Sequence, residues 1–259
     1  MLTNKVVLLT GATSSIGANV SKLLAEEGAT VILVDKNEEK LQQVWNKLAG
    51  RHHLVQADIT TTDGRKEIVN YCQQIGPDID FVINNASQGQ FSLFEELDEN
   101  SLSSIINLNL TSNMLLIRHI LPILLSQKSA QMINVGSIFG NIGLPGSSAY
   151  CASKFGFRGF TESLRRELLD TEVLIRYFSP QITKDDINDE KAVEMYQALG
   201  KKIDSSEYVA KQLVSFLKAK DPSQYAGWKG KILVRLNSLL PDVFEKSIFK
   251  RLSLMKQYL

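Results

Sequence analysis

Cysteine is scarce: Cys72 and Cys151 are the only two in 259 residues. Two cysteines make neither a disulfide framework nor a zinc-ligand pattern, so no metal site is expected and a reducing compartment fits. An excess of one charge is also missing. The formal net charge of +1 gives no global pull toward nucleic acid or anionic lipid, and no nucleic-acid partner is expected. Long apolar runs are absent as well. The longest, Met114 to Leu125, is interrupted by Arg118, His119 and Pro122, which argues against a membrane span. The first residues, Met1 to Lys5, lead straight into an apolar strand pattern and leave no room for a signal peptide. The sequons Asn85-Ala86-Ser87 and Asn109-Leu110-Thr111 therefore carry no glycosylation reading, and a cytoplasmic location is expected. No internal repeat or low-complexity linker breaks the chain.

What is present is ordinary globular composition, 44% hydrophobic and 22% charged, in a chain long enough for one well-buried core. Short apolar runs alternate with longer amphipathic stretches. Val6 to Thr10, Thr30 to Asp35, His53 to Ala57, Ile79 to Asn84, Met132 to Gly136, Val173 to Phe178 and Lys231 to Val234 read as strands. Ile16 to Glu27, Glu38 to Leu48, Asp63 to Ile75, Leu102 to Ser126, Ala149 to Leu169 and Glu207 to Ala219 read as helices. Near-continuous apolar strands imply burial on both faces. The alternation predicts an α/β, doubly wound, seven-stranded and mostly parallel sheet with helices on both faces. One domain is expected over 1–238, followed by a helical extension over 239–259.

The chemistry concentrates between Val135 and Phe160. A strand ends near Ser137, a Gly-rich bend follows, and a helix opens with Tyr150-Cys151-Ala152-Ser153-Lys154. Residues four apart share a helix face, so the Tyr150 phenol and the Lys154 ammonium are neighbours. A cation beside a phenol favours the phenolate, which moves an inert hydroxyl toward acid–base use. Ser137, 13 residues upstream, is placed to hold a carbonyl or alcohol oxygen. A second Tyr-x-x-x-Lys, Tyr225 and Lys229, falls where no helix pattern exists and is read as chance.

At the other end, Thr10-Gly11-Ala12-Thr13-Ser14-Ser15-Ile16-Gly17 links the first strand to the first helix. Gly11 permits a tight turn and Gly17 close helix–strand packing, and the N–H groups at the helix start can hold a pyrophosphate. Asp35, 18 residues after Gly17, is placed to accept ribose hydroxyls and repel a 2′-phosphate, with Lys36 offsetting that repulsion. The alternative is that Asp35 helps cap the helix after Asn37. Asp58 either meets an adenine or caps a helix. Asn84 to Ser87 suit a crevice at a strand end. Asn109, inside an apolar helix, needs a task for its amide, whether functional or a buried structural hydrogen bond.

Together these residues resemble the short-chain dehydrogenase/reductase family over roughly residues 4 to 235. The likeness rests on the Thr10–Gly17 turn, Asn84 to Ser87, and Tyr150 to Lys154. Ser15 and Ser87 stand where the family has glycine, and Gln181 follows Pro180 where the family has Pro-Gly. The resemblance implies a catalytic set of Asn109, Ser137, Tyr150 and Lys154. It also implies a dinucleotide held by Gly11, Ser14, Ser15, Ile16, Gly17, Asp35, Asp58, Ile59, Asn85, Ala86, Tyr150, Lys154, Pro180, Ile182 and Thr183. The expected activity is hydride transfer between NAD(H) and a secondary alcohol or ketone. Tyr150 moves the proton, Lys154 bonds the nicotinamide ribose, and Asn109 holds a water. NADPH-dependent reduction and a catalytically silent scaffold are the alternatives. A homodimer or homotetramer through the long helices is implied too.

Gln181 to Ser206 is expected to shape the substrate pocket, with Ala192, Met195, Tyr196 and Leu199 on one helical face. Phe91, Leu93, Phe139, Ile142 and Leu144 are candidate walls. In the tail, Phe244, Ile248, Leu252, Met255 and Leu259 recur every three or four residues and form one stripe. The preferred reading docks that stripe on protein, ahead of a membrane surface.

Overall fold

Burial alternates along the strands because both faces of the sheet are covered. On β1 (Val6–Thr10), Val7 and Leu9 enter one core while Val6 and Leu8 enter the other. The same two-residue alternation continues through β2 (Thr30–Asp35), β3 (His53–Gln56), β4 (Phe81–Asn84), β5 (Ala130–Val135) and β6 (Val173–Ser179). The computed structural model describes residues 1–75, 79–181, 183, 190–200, 203–219, 221–225 and 228–259. Its sheet has seven strands in the order β3-β2-β1-β4-β5-β6-β7, every pairing parallel.

One face is covered by α1 (Ser15–Glu26), α2 (Glu38–Trp45) and α8 (Ser206–Lys218), whose Val20, Leu24, Leu41, Leu213 and Phe216 are buried. The other is covered by α3 (Thr62–Gln74), α5 (Asn113–Leu125) and α6 (Ser148–Glu167), with α4 (Glu99–Ile106) packed against α6. Between α4 and α5, residues Asn107–Ser112 form a π-helical turn. The helical run Glu99–Leu125 is long and apolar enough to cross a membrane by length and composition. Here it is a core helix: Leu116, Ile117, Ile120 and Leu124 pack on the sheet. Truncating any one of these fully buried side chains to alanine would cost about 2–5 kcal/mol.

The seventh strand corrects the sequence expectation. Lys231 to Val234 lies inside α9 (Trp228–Leu239), and β7 is instead Ser223–Tyr225, paired to β6 through Tyr177 and Ser223. A four-residue apolar run does not by itself distinguish a strand from a helix segment. The tail is helical as expected, in α10 (Pro241–Met255), with Pro241 in the first turn where its missing N–H costs nothing. α7 (Glu190–Ala198) carries the expected apolar face, with Ala192, Met195 and Tyr196 buried.

Candidate active site

The chain leaves β1 through Gly11, whose φ of +65° favours glycine. Ser14 then caps α1. Its hydroxyl accepts from the Gly17 N–H (3.0 Å) and from Asn85 Nδ2 (3.2 Å), and donates to the Gly11 carbonyl (2.9 Å). A Cβ on Gly17 would stand 2.2 Å from the Gly11 carbonyl oxygen, so α1 seats on this turn because residue 17 has no side chain. The first turn of α1 holds no acidic residue, which leaves the positive end of the helix uncompensated. That end opens onto a groove of about 790 Å³ along the carboxyl ends of the strands.

Gly11, Ser14, Ser15, Ile16, Asp35, Asp58, Ile59, Asn85, Ala86 and Pro180 line the groove. Gly17 lies behind it as a packing contact. Thr183 is fully buried and bridges to Asp204, Tyr150 and Lys154 do not line the groove, and Ile182 falls outside the described residues. The two aspartates also have local tasks. Asp35 Oδ1 accepts from the Asn37 N–H (3.2 Å), and Asn37 caps α2. Asp58 Oδ1 accepts from the Thr60 N–H (2.8 Å) and hydroxyl (2.7 Å), just ahead of the α3 cap at Thr61.

At the inner end the groove reaches Val135 and Gly136. The Val135 carbonyl accepts from Lys154 Nζ (3.3 Å), and that nitrogen lies 5.5 Å from the centroid of the Tyr150 ring. Ser137, 1% exposed, follows two residues later. Its hydroxyl accepts from the Phe139 N–H (3.2 Å), and Phe139 meets the Tyr150 ring edge-on at 6.5 Å. Asn109 ties these parts together. Its Oδ1 accepts from the Gln88 N–H (2.8 Å), while its Nδ2 donates to the Gln88 carbonyl (2.8 Å) and to Ser153 Oγ (3.0 Å). Ser153 in turn donates to the Tyr150 carbonyl (2.7 Å). The amide therefore links the post-β4 loop to the helical turn that carries Tyr150.

A family model described as short chain dehydrogenase matches residues 5–195. The chain belongs to the short-chain dehydrogenase family. Its relatives include an uncharacterized oxidoreductase of Staphylococcus aureus (strain MW2), 35% identical over 181 residues that cover 70% of this chain and 78% of that one. A 3-oxoacyl-(acyl-carrier-protein) reductase of Rickettsia prowazekii (strain Madrid E) is 29% identical over 230 residues, 87% of this chain and 94% of that one. Among solved structures, a short chain dehydrogenase/reductase from Burkholderia phymatum in complex with NAD superposes with a TM-score of 0.83 at 19% identity, covering 93% of this chain and 95% of its own. A metagenomic short-chain oxidoreductase in complex with NADP gives 0.73 at 22% identity, covering 86% and 96%.

Three residues of this short-chain dehydrogenase were not singled out by the sequence reading. Thr13 holds Asp35, donating to Oδ2 from its hydroxyl (2.7 Å) and its N–H (3.2 Å). Asn113 Nδ2 donates to the carbonyls of Ala86 (3.2 Å) and Leu108 (2.8 Å), which braces the π turn against the groove wall. Tyr177 reaches from β6 under the bend, and its phenol oxygen accepts from the Ser137 N–H (3.4 Å). A Cβ at Gly136 would stand 1.9 Å from that oxygen and one at Gly140 2.5 Å, so the two glycines make room for the phenol. Thr13 lies in the turn after β1, Asn113 opens α5 and Tyr177 sits inside β6, and the partner of each is set by the tertiary fold.

An apolar cover closes the side of Tyr150 away from the groove. Ile138, Phe139, Ile142, Tyr150, Cys151, Met195, Tyr196, Val234 and Met255 form one cluster, joined by Phe91, Leu144, Leu199, Phe244 and Tyr258. Leu93 is not part of it. Burial pushes the Cys151 thiol pKa up, with backbone hydrogen bonds to Leu144 and within Cys151 opposing the shift.

Proposed function

We propose that the chain is an NAD(P)-dependent oxidoreductase that interconverts a secondary alcohol and its ketone, with Tyr150 as the acid and base. One observation carries the reading: Lys154 and Tyr150 are buried one helical turn apart, and Lys154 is fastened to Val135, which lines the inner end of the groove. The groove suits a dinucleotide, with an uncompensated helix N-terminus for phosphate and the Asp35 carboxylate for ribose hydroxyls. The structural relatives in complex with NAD and with NADP support that assignment. When bound, the cofactor gives or accepts the hydride.

The rest is the work of this chain's residues. Tyr150 passes the proton to or from the substrate oxygen. The Lys154 ammonium stabilises negative charge developing on the phenol oxygen, more strongly in a buried site than in water. Ser137 donates to the same substrate oxygen and fixes its position. Asn109, with its amide committed to Gln88 and Ser153, holds the Tyr150 turn in register and leaves the π turn's backbone to organise water. Pairing of two or four copies through α5 and α6 belongs to the same proposal.

The test is turnover on a panel of ketones and secondary alcohols with each cofactor, followed by nicotinamide absorbance. Turnover with a subset supports the reading. Tight cofactor binding with no turnover across the panel favours a silent nucleotide-binding scaffold instead.

NAD(H) is expected to bind more tightly than NADP(H), because a 2′-phosphate beside Asp35 meets like charge. Lys36 and Lys40 also line the groove, so Asp35→Ala leaves two cations facing that position. The variant is expected to shift the NAD/NADP affinity ratio toward NADP by roughly tenfold or more, about 1.4 kcal/mol, measured by fluorescence titration. An unchanged ratio would show that Asp35 serves only Thr13 and the start of α2.

A further inference from the structure

The helix pair α9–α10 has two apolar sides, and only one of them is used by the rest of the molecule. On α9 the inward side carries Gly230, Val234 and Asn237. Val234 is buried in the cluster around Tyr150, and Asn237 Nδ2 donates to the Asn141 carbonyl (3.2 Å). At 100° per residue, Ile232, Leu236 and Leu239 fall on the opposite side of the same helix, and Leu240 follows at its junction with α10. They are exposed by 46%, 44%, 76% and 51%. Pro241 breaks the helix there, and Val243, 61% exposed, continues the apolar surface into the first turn of α10. Six of the fifteen large apolar side chains recorded as exposed among the described residues lie between Ile232 and Phe249. Scattered exposed apolar residues need no explanation, but a cluster of this kind marks a surface that meets something.

The charge around the cluster identifies the partner. Residues 228–259 contain seven basic and two acidic side chains, a net of +5, so the remaining chain carries −4 of the total of +1. On α10, Lys246 and Lys250 lie three and seven positions after Val243, on its outward side, and both are exposed. Arg235 flanks the α9 row and is exposed too. An apolar row edged by lysine and arginine is the pattern of a helix lying in the plane of an anionic membrane surface. A second copy of the chain fits poorly. A two-fold contact would set this patch against itself and bring the two basic segments together. Of the expected stripe of Phe244, Ile248, Leu252, Met255 and Leu259, Phe244 and Met255 join the Tyr150 cluster and Leu259 reaches Gly146. The exposed row is a different surface on the other side of the same helices.

We propose that the α9–α10 pair docks this chain on an anionic lipid surface, with Leu236, Leu239, Leu240 and Val243 entering the interface and Arg235, Lys246 and Lys250 meeting the headgroups. The opposite side of the pair covers Tyr150. Docking therefore places the interface about one helix diameter, ~10 Å, from the cluster that walls the site, and suits a substrate carried in the membrane.

The experiment is flotation of the full chain with vesicles of phosphatidylglycerol and phosphatidylcholine, and with phosphatidylcholine alone, at low and high ionic strength. Binding is expected with the anionic vesicles, at least tenfold weaker at high salt and on neutral vesicles. Two variants test the two halves of the surface. Leu239→Asp with Leu240→Asp removes the apolar tip, and Lys246→Glu with Lys250→Glu reverses the flanking charge. All four side chains are exposed, so thermal melts should match the parent. Each pair is expected to lower binding at least tenfold. Failure of the parent chain to float with anionic vesicles overturns the proposal, as does equal binding to both vesicle types. Sedimentation supplies the other decisive outcome. A wild-type oligomer that the Leu239→Asp, Leu240→Asp chain no longer forms would show that the surface joins two copies. None of these readouts depends on the reaction assigned above.

Discussion

Tyr150→Phe is expected to lower turnover on any substrate of the wild-type enzyme by about 10²–10⁴-fold, the usual contribution of a positioned acid or base. The substitution keeps the ring, and so keeps the edge contact with Phe139 and the place of Lys154 beside it. What it removes is the hydroxyl to which the proposal assigns the proton transfer. Because Tyr150 does not line the dinucleotide groove, cofactor affinity should change little, and kcat rather than cofactor binding should carry the loss. Single-turnover measurement with cofactor titrated in parallel separates the two. A variant within a few-fold of the parent rate would transfer the proton step to another group and leave Tyr150 as a packing residue.

The parts of this molecule that were legible in the sequence are those whose meaning is local. Gly11 and Gly17 mark a turn because a Cβ at either position meets backbone within 3 Å, and that demand is written in the residue type itself. β1, β2, β4, β5 and β6 were legible because they are largely buried on both faces and mostly apolar, whereas β3, His-Leu-Val-Gln, buries only Val55. β7 was not legible. It is a three-residue edge strand, Ser-Gln-Tyr, with no apolar pattern, and it exists because Tyr177, Phe178 and Ser179 offer it a ladder. Within the run Lys-Ile-Leu-Val that resembles a strand, Leu233 and Val234 serve the Tyr150 cluster and Ile232 the outer row, as a helix allows.

The candidate site divides in the same way. The Tyr150–Lys154 spacing is a property of one helix, so the sequence carries it. The tasks of Asn109 are not. The π turn around it and its bonds to Gln88 and Ser153 are tertiary facts, and a mid-helix asparagine says only that some partner exists. Tyr177 is the clearest omission. Its phenol lies between Gly136 and Gly140 under the bend, yet in sequence it is one more aromatic in an apolar strand. The two apolar sides of α9, one buried and one exposed, were hidden for a related reason, since a helix with apolar residues on two sides shows no single clean stripe.

Arg176→Ala is expected to destabilise the fold by about 3 kcal/mol, within the range for opening a buried site and stranding its partners. Arg176 sits on β6 at 1% exposure, with its guanidinium carbon 3.8 Å from the Phe216 ring centroid. Its Nε donates to the Asp221 carbonyl (2.9 Å) just ahead of β7, and a terminal nitrogen donates to Gln131 Oε1 (2.9 Å) on β5. One side chain thus spans β5, β6 and the approach to the edge strand. Its charge works against it. Burial drives the guanidinium pKa down from its ordinary value to about 10, with Asp221 opposing the shift. A base with a lowered folded-state pKa costs stability at every pH below that value. The cost is relieved as pH rises above about 10, where the folded form has lost the proton that the unfolded form keeps. Arg176→Met should therefore be much milder, within about 1 kcal/mol of the parent, because it keeps the stem packed on Phe216 and has no charge to desolvate. In thermal melts the alanine chain should fall by about 6–12 °C and the methionine chain by less than about 4 °C. Equal losses in the two variants would assign the stabilisation to the hydrogen bonds at Asp221 and Gln131. A large loss confined to alanine assigns it to the apolar stem and its contact with Phe216.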